Sequence, residues 1–107
     1  VRELANLILR STAGRDGKAP RLLVMCPPYT NYAREADYCS SFNDNSNRIS
    51  RELPAKFARF TREIGCEYLD LSQIVVTSEK DGIHLNPDQH QKVAAAVKAK
   101  VLEIFGA

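Results

Sequence analysis

Leu22-Leu23-Val24-Met25-Cys26-Pro27-Pro28 decides the fold class. Five apolar residues run without a polar interruption until two prolines stop them, the pattern of a short strand buried on both faces of a parallel sheet. Parallel strands need crossover connections, so helices are expected on either side of the run. The spacing of apolar residues agrees. Val1, Leu4, Ala5 and Ile8 recur at helical intervals, and Ser11-Thr12-Ala13-Gly14 closes that first helix before a polar turn over residues 15 to 20. After the prolines, residues 27 to 46 read as a long irregular segment rich in Asn, Ser and Tyr. Loops of that length inside a domain are usually functional or disordered. Ile49, Leu53, Phe57, Phe60 and Ile64 then form the stripe of a second helix, with Phe57 and Phe60 in the core, Pro54 in its first turn or at a kink, and Gly65 at its end.

Residues 67 to 71 read as a second strand, and residues 72 to 80 lead into a tight turn. In Asn86-Pro87-Asp88-Gln89 the Asn can cap a third helix, the Pro suits its first position, and Gln89 stands where a capping box places its partner. Val93, Val97, Val101 and Ile104 give that helix a buried stripe. Helix alternating with strand predicts an α/β architecture of parallel strands, right-handed crossovers and helices on both faces. Two strands with three main helices is a small sheet for that purpose. Both edges stay open and the stripes cannot all be covered, so the chain is expected to need either a further N-terminal half or a second copy of itself.

The turn between the second strand and the third helix, Asp81-Gly82-Ile83-His84-Leu85-Asn86-Pro87, carries the chemistry. A carboxylate three residues before an imidazole can accept a hydrogen bond from one ring nitrogen. That bond fixes the tautomer and leaves the other nitrogen to take a proton from a nucleophile. Asp81 would orient and His84 would transfer the proton. Taken alone, the spacing also fits a surface turn that caps the following helix. In open α/β sheets ligands bind beyond the carboxyl ends of the strands. Cys26-Pro27-Pro28-Tyr29 and the loop ending in Asp81 and His84 both reach that edge, which makes Pro27, Pro28, Tyr29 and Ile83 the candidates for lining a substrate pocket. Tyr29, Tyr32, Tyr38 and Phe42 either line an acyl or aromatic pocket or pack the loop against a neighbouring subunit.

Asp-Gly-Ile-His-Leu-Asn-Pro, followed by His90 and an amphipathic C-terminal helix, resembles the last signature block of the SGNH (GDSL-type) ester hydrolases. The apolar strand ending in Cys26-Pro27-Pro28-Tyr29 is similar to the small bacterial arylesterase and acyltransferase branch of that family. The resemblance rests chiefly on residues 21 to 29 and 67 to 105 and on the order of elements between them. It implies a flavodoxin-like three-layer α/β/α fold, of which residues 1–107 form the C-terminal part of a single domain. It also implies ester hydrolysis or acyl transfer on a small ester by a Ser-His-Asp triad that needs no cofactor, with His84 and Asp81 as two of its members. The family's nucleophile lies in an early Gly-Asp-Ser block and its oxyanion donors in that block and two further early ones. Neither Gly-Asp-Ser nor Gly-x-Asn-Asp occurs in this chain, and Asn43-Asp44 follows the Pro-Pro strand instead of preceding it. The chain by itself is therefore expected to be inactive. The rival reading is a non-catalytic relative kept for assembly or binding.

Composition narrows the alternatives. The 107 residues are 44% hydrophobic and 26% charged, ordinary values for one globular domain. Lys and Arg number 15 against 13 Asp and Glu, and this net +2 is scattered, so no nucleic-acid footprint is expected. Apolar runs fall far short of the roughly 20 residues a membrane-spanning helix needs. Cys26, Cys39 and Cys66 form no Cys-x-x-Cys pair and read as reduced thiols, which places the protein in the cytoplasm. His90 with Asp81 and Asp88 reads as structural, so no metal site is expected. Ser72 and Ser78 read as caps or solvated residues, not as nucleophiles. Gly14-Arg15-Asp16-Gly17-Lys18 lacks the spacing and the Ser or Thr of a phosphate loop, and it precedes a strand.

Overall fold

A computed structural model describes residues 1–32 and 41–107 of the chain. Three helices and two strands follow one another as α1 (Arg2–Leu9), β1 (Leu23–Cys26), α2 (Asp44–Ile64), β2 (Glu67–Asp70) and α3 (Pro87–Phe105), with short 3-10 turns at Arg15–Gly17 and Leu71–Gln73. The strands pair in parallel, in the register Leu23 with Glu67, Val24 with Tyr68, Met25 with Leu69 and Cys26 with Asp70. This is the expected α/β arrangement. Both carboxyl ends, Cys26 and Asp70, meet at the same edge of the sheet.

Local chemistry explains the limits of each element. Asn43 caps α2 through its side chain, which accepts from the backbone N–H of Ser46 at 3.1 Å, while Ser46 Oγ accepts from the Asn43 N–H at 3.2 Å. That reciprocal box starts the helix at Asp44, inside the segment whose sequence reads as irregular to residue 46. The apolar stripe begins only at Ile49, because the first turn of α2 is polar. Pro54 sits deep within α2 and the helix runs through it. Gly65 ends the helix in the left-handed region at φ 75°, and its N–H donates to Thr61 O at 2.9 Å. At α3 the expected box does not form. Pro87 holds the first helical position, but the Asn86 side chain makes no capping bond. Gln89 is instead buried, its Oε1 accepting from the Val76 N–H at 3.0 Å and so tying the helix to the segment before the Asp-x-x-His turn.

Burial is thinner than the apolar stripes suggest. Among the described residues, the buried hydrophobic side chains are Ala5, Val24, Cys26, Leu71 and Val75. The reading of β1 as buried on both faces is corrected: Val24 and Cys26 are buried while Met25, between them, is 43% exposed. Leu4 and Val101, expected in the stripes of α1 and α3, are also exposed. Phe57 and Phe60 meet edge to face at 5.2 Å, half-buried instead of in the core. Each of these groups lies on a surface that two strands are too narrow to cover.

Candidate active site

Three segments converge beyond the carboxyl ends of the strands: the run after β1, the first turns of α2, and the turn before α3. The last of these is built around Asp81. Its Oδ1 accepts from the backbone N–H groups of Ile83 at 2.8 Å and His84 at 3.0 Å, and its Oδ2 lies 2.6 Å from His84 Nδ1. The carboxyl is therefore pinned by two amides before it touches the ring. It is also sheltered, with 12% of the side chain exposed against 65% for His84. The bond to His84 first, and then the two amide bonds, lower the Asp81 pKa from its usual 3.8 to about 2. A charged, oriented acceptor on Nδ1 favours the tautomer that carries its proton there and its lone pair on Nε2.

Gly82 allows this geometry. Its φ is +68°, and a Cβ there would lie 2.1 Å from Asn31 O and 2.6 Å from Tyr32 N, so any larger residue would collide with the backbone of the run after β1. In place of a side chain, Gly82 O accepts the Asn31 N–H at 2.8 Å. The turn is closed by two further backbone bonds, from Ser78 N–H to His84 O at 2.6 Å and from Gly82 N–H to Ser78 O at 2.7 Å. Ser78 is buried and its Oγ accepts the Lys80 N–H, while Ser72 Oγ donates to Asp70 Oδ1 at 2.6 Å. Both serines hold turns together.

Beside the turn lies an apolar cleft of about 460 Å³, lined by Pro27, Pro28, Thr30, Phe42, Ile49, Leu53 and Ile83 together with Ser46 and Ser50. Three of the four residues singled out in the sequence, Pro27, Pro28 and Ile83, are brought together in its wall. Tyr29 is not among them. It packs instead under the guanidinium of Arg51, 5.2 Å from ring centroid to Cζ. Tyr38 and Cys39 lie outside the described residues. The contribution of α2 to the wall, through Ile49, Ser50 and Leu53, escaped the sequence reading, because a stripe that faces a cleft has the same period as one that faces a core.

At the same sheet edge the thiol of Cys26 is buried, and burial first, then the neighbouring Asp70 charge, push its pKa up to about 11. Burial likewise raises the Tyr68 phenol, whose hydroxyl donates to Pro54 O at 3.1 Å. Neither group ionises near neutrality; the Tyr68 hydroxyl ties the sheet to α2, and the Cys26 thiol donates to Pro27 O at 3.6 Å. Among the described residues no three His, Cys, Asp or Glu side chains are grouped to hold a metal ion, and no helix is long and apolar enough to cross a membrane.

With this geometry in place, the fold can be compared with solved structures. The chain superposes on Est24, a carbohydrate acetylesterase from Sinorhizobium meliloti, with a TM-score of 0.85 at 21% identity, covering 96% of this chain and 48% of that one. It superposes on the native aryl esterase of M. smegmatis with a TM-score of 0.75 at 21% identity, covering 92% of this chain and 47% of that one. The chain thus has the α/β fold of these two esterases over about half of their length. No protein-family model matches the chain, and no curated protein matches it.

Proposed function

We propose that this chain supplies the base and the orienting carboxylate of an SGNH-type carboxylic ester hydrolase or acyltransferase. The observation that carries this reading is the Asp81–His84 pair, 2.6 Å apart, with the carboxylate held by two backbone amides on a turn that only glycine can make. The esterase fold of the structural neighbours supports the same kind of chemistry. In this mechanism His84 Nε2 removes the proton of a serine as the serine oxygen attacks the ester carbonyl. The imidazolium then returns the proton to the departing alcohol, and Asp81 stabilises the cation without itself taking the proton. The serine and the donors that hold the oxyanion come from residues outside this chain. Water, or an acceptor alcohol, releases the acyl group in the second half of the cycle.

The expected test is made on this chain together with the residues that complete its fold. His84→Ala should abolish hydrolysis of a small activated aryl ester, and Asp81→Asn should lower kcat by about 10⁴-fold, the size of the loss when a triad carboxylate is replaced by its amide. A folded His84→Ala protein with near-normal turnover would eliminate the assignment. The 107-residue chain alone should resist a fluorophosphonate probe, whereas stoichiometric labelling would reveal a nucleophile inside it.

A further inference from the structure

One cationic side chain on α2 gathers the run that follows β1. Arg51 Nη1 donates to Asn47 O at 2.9 Å and to Thr30 O at 3.1 Å, and its Nη2 donates to Asn31 Oδ1 at 2.6 Å. The guanidinium also lies over the Tyr29 ring. Three consecutive residues after β1 are therefore held by one planar fork, a geometry that a lysine ammonium cannot reproduce. Asn47 adds a second clasp on the next residue, accepting the Tyr32 N–H at 2.8 Å and donating to Tyr32 O at 2.9 Å.

Asn31 is the residue through which this clasp reaches the Asp-x-x-His turn. Its side-chain Nδ2 donates to the buried Thr77 Oγ1 at 3.2 Å, and its backbone N–H donates to Gly82 O at 2.8 Å. Gly82 lies between the carboxylate and the imidazole in sequence, and its backbone is in contact with that of Asn31. A tilt of residues 30 to 32 would therefore move the peptide whose neighbours carry the pair. Arg51 stands at the far end of a short chain of bonds: guanidinium to Asn31 amide, Asn31 backbone to Gly82 carbonyl, and Gly82 to the flanking Asp81 and Ile83.

We propose that Arg51 is a positioning residue for the Asp81–His84 pair, acting through Asn31. The role rests on the functional reading above, but its structural half can be measured without turnover. In the full chain, Arg51→Met should accelerate hydrogen exchange at the Asn31 and His84 amides at least tenfold and broaden or remove the downfield Nδ1 proton signal of His84. Exchange at the Val24 and Leu69 amides of the sheet should stay unchanged. Arg51→Lys, which keeps the charge and most of the stem, should fold in any case and show the same local loss to a smaller degree. In the completed enzyme both variants should lower kcat on a small aryl ester about tenfold or more with little change in KM.

Wild-type protection at Asn31 and His84 together with an unaltered Nδ1 signal in Arg51→Lys and Arg51→Met would overturn the proposal, even if His84→Ala proves inactive. Uniformly faster exchange that includes the strands, with no selective change in Arg51→Lys, would equally overturn it by showing a general structural role. If His84→Ala remains active, the exchange and Nδ1 measurements still decide whether Arg51 holds the pair, so the two failures can be told apart.

Discussion

At the scale of single residues, the site depends on where the backbone holds Asp81 and Gly82. Asp81 is the clearest case. With a folded pKa of about 2 against a usual 3.8, its ionised form is favoured by the native turn. The unfolded chain binds that proton more tightly, so the pair contributes its stability above about pH 4 and loses it as the pH falls towards 2. Carboxyl-detected NMR should place the Asp81 midpoint near the lower value in the wild-type chain. In His84→Ala the midpoint should rise but stay below the usual value, because the Ile83 and His84 amides still donate. A wild-type midpoint at the ordinary carboxylate value would mean the bond is not made in solution. Gly82 offers a second test. Gly82→Ala must place a β-carbon in the left-handed region, which costs roughly 1–2 kcal/mol by itself, and must also displace the Asn31 backbone. It should lower the melting temperature and abolish the activity of the completed enzyme, whereas a fully active, equally stable Gly82→Ala protein would contradict the close approach.

At the scale of elements, capping sets where the helices begin and tertiary contacts set what their ends do. The Asn43–Ser46 box satisfies two N–H groups at the start of α2, the helix that carries Ser50, Arg51 and Leu53 into the site region. Asn43→Ala should cost about 1 kcal/mol and fray the first turn. Thermal unfolding should show the loss, and faster exchange confined to residues 46 and 47 would locate it. An unchanged melting temperature would mean that packing, not the cap, fixes the start of the helix. The contrast with α3 is instructive, because the same kind of signature at Asn86 and Gln89 is diverted. Gln89 Oε1 satisfies the Val76 N–H, thirteen residues earlier in the chain, and an amide left without that partner would cost about 1–3 kcal/mol.

At the scale of the whole molecule, the described architecture does not bury what a chain of this size ordinarily buries. A monomer of 12.0 kDa exposes 7525 Å² here, where the scaling for folded monomers gives about 6,000 Å². The radius of gyration, 15.9 Å, likewise exceeds the about 13 Å expected for this length. The surplus is apolar in part: Leu4 and Leu7 on α1, Met25 on β1, Val76, and Leu102 and Phe105 on α3 are all exposed. Among the described residues, both strands are also edges of the sheet. The solved esterases with this fold are about twice as long. We therefore expect the folded 107-residue chain to be at least a dimer, or to be bound to a separate fragment that completes the sheet. Light scattering coupled to chromatography at low micromolar concentration reads this directly. A cooperatively unfolding monomer would show that two strands and three helices suffice.

What the sequence determined by itself was local. The continuous apolar run stopped by Pro27 and Pro28 specified a strand, helical spacing specified three helices, Gly65 specified the end of one, and Asp81-x-x-His84 specified a carboxylate beside an imidazole. Each of these signals lies within a few residues of its consequence, which is why it can be read along the chain. The apolar pattern does not say which face is covered, because burial depends on the number of strands, and so it points Met25, Leu4 and Val101 inward although they are exposed. Only the tertiary structure decided that Gly82 would be crossed by the Asn31 backbone, that Gln89 would serve Val76 and not the cap, and that Arg51 would bind residues twenty positions away. Those contacts join polar groups across long loops, where neither periodicity nor spacing leaves a mark. They form once packing has brought the elements together: the part-buried Val76 N–H takes the acceptor within its reach, and the exposed Arg51 fork meets oxygens that only the folded chain sets beside it.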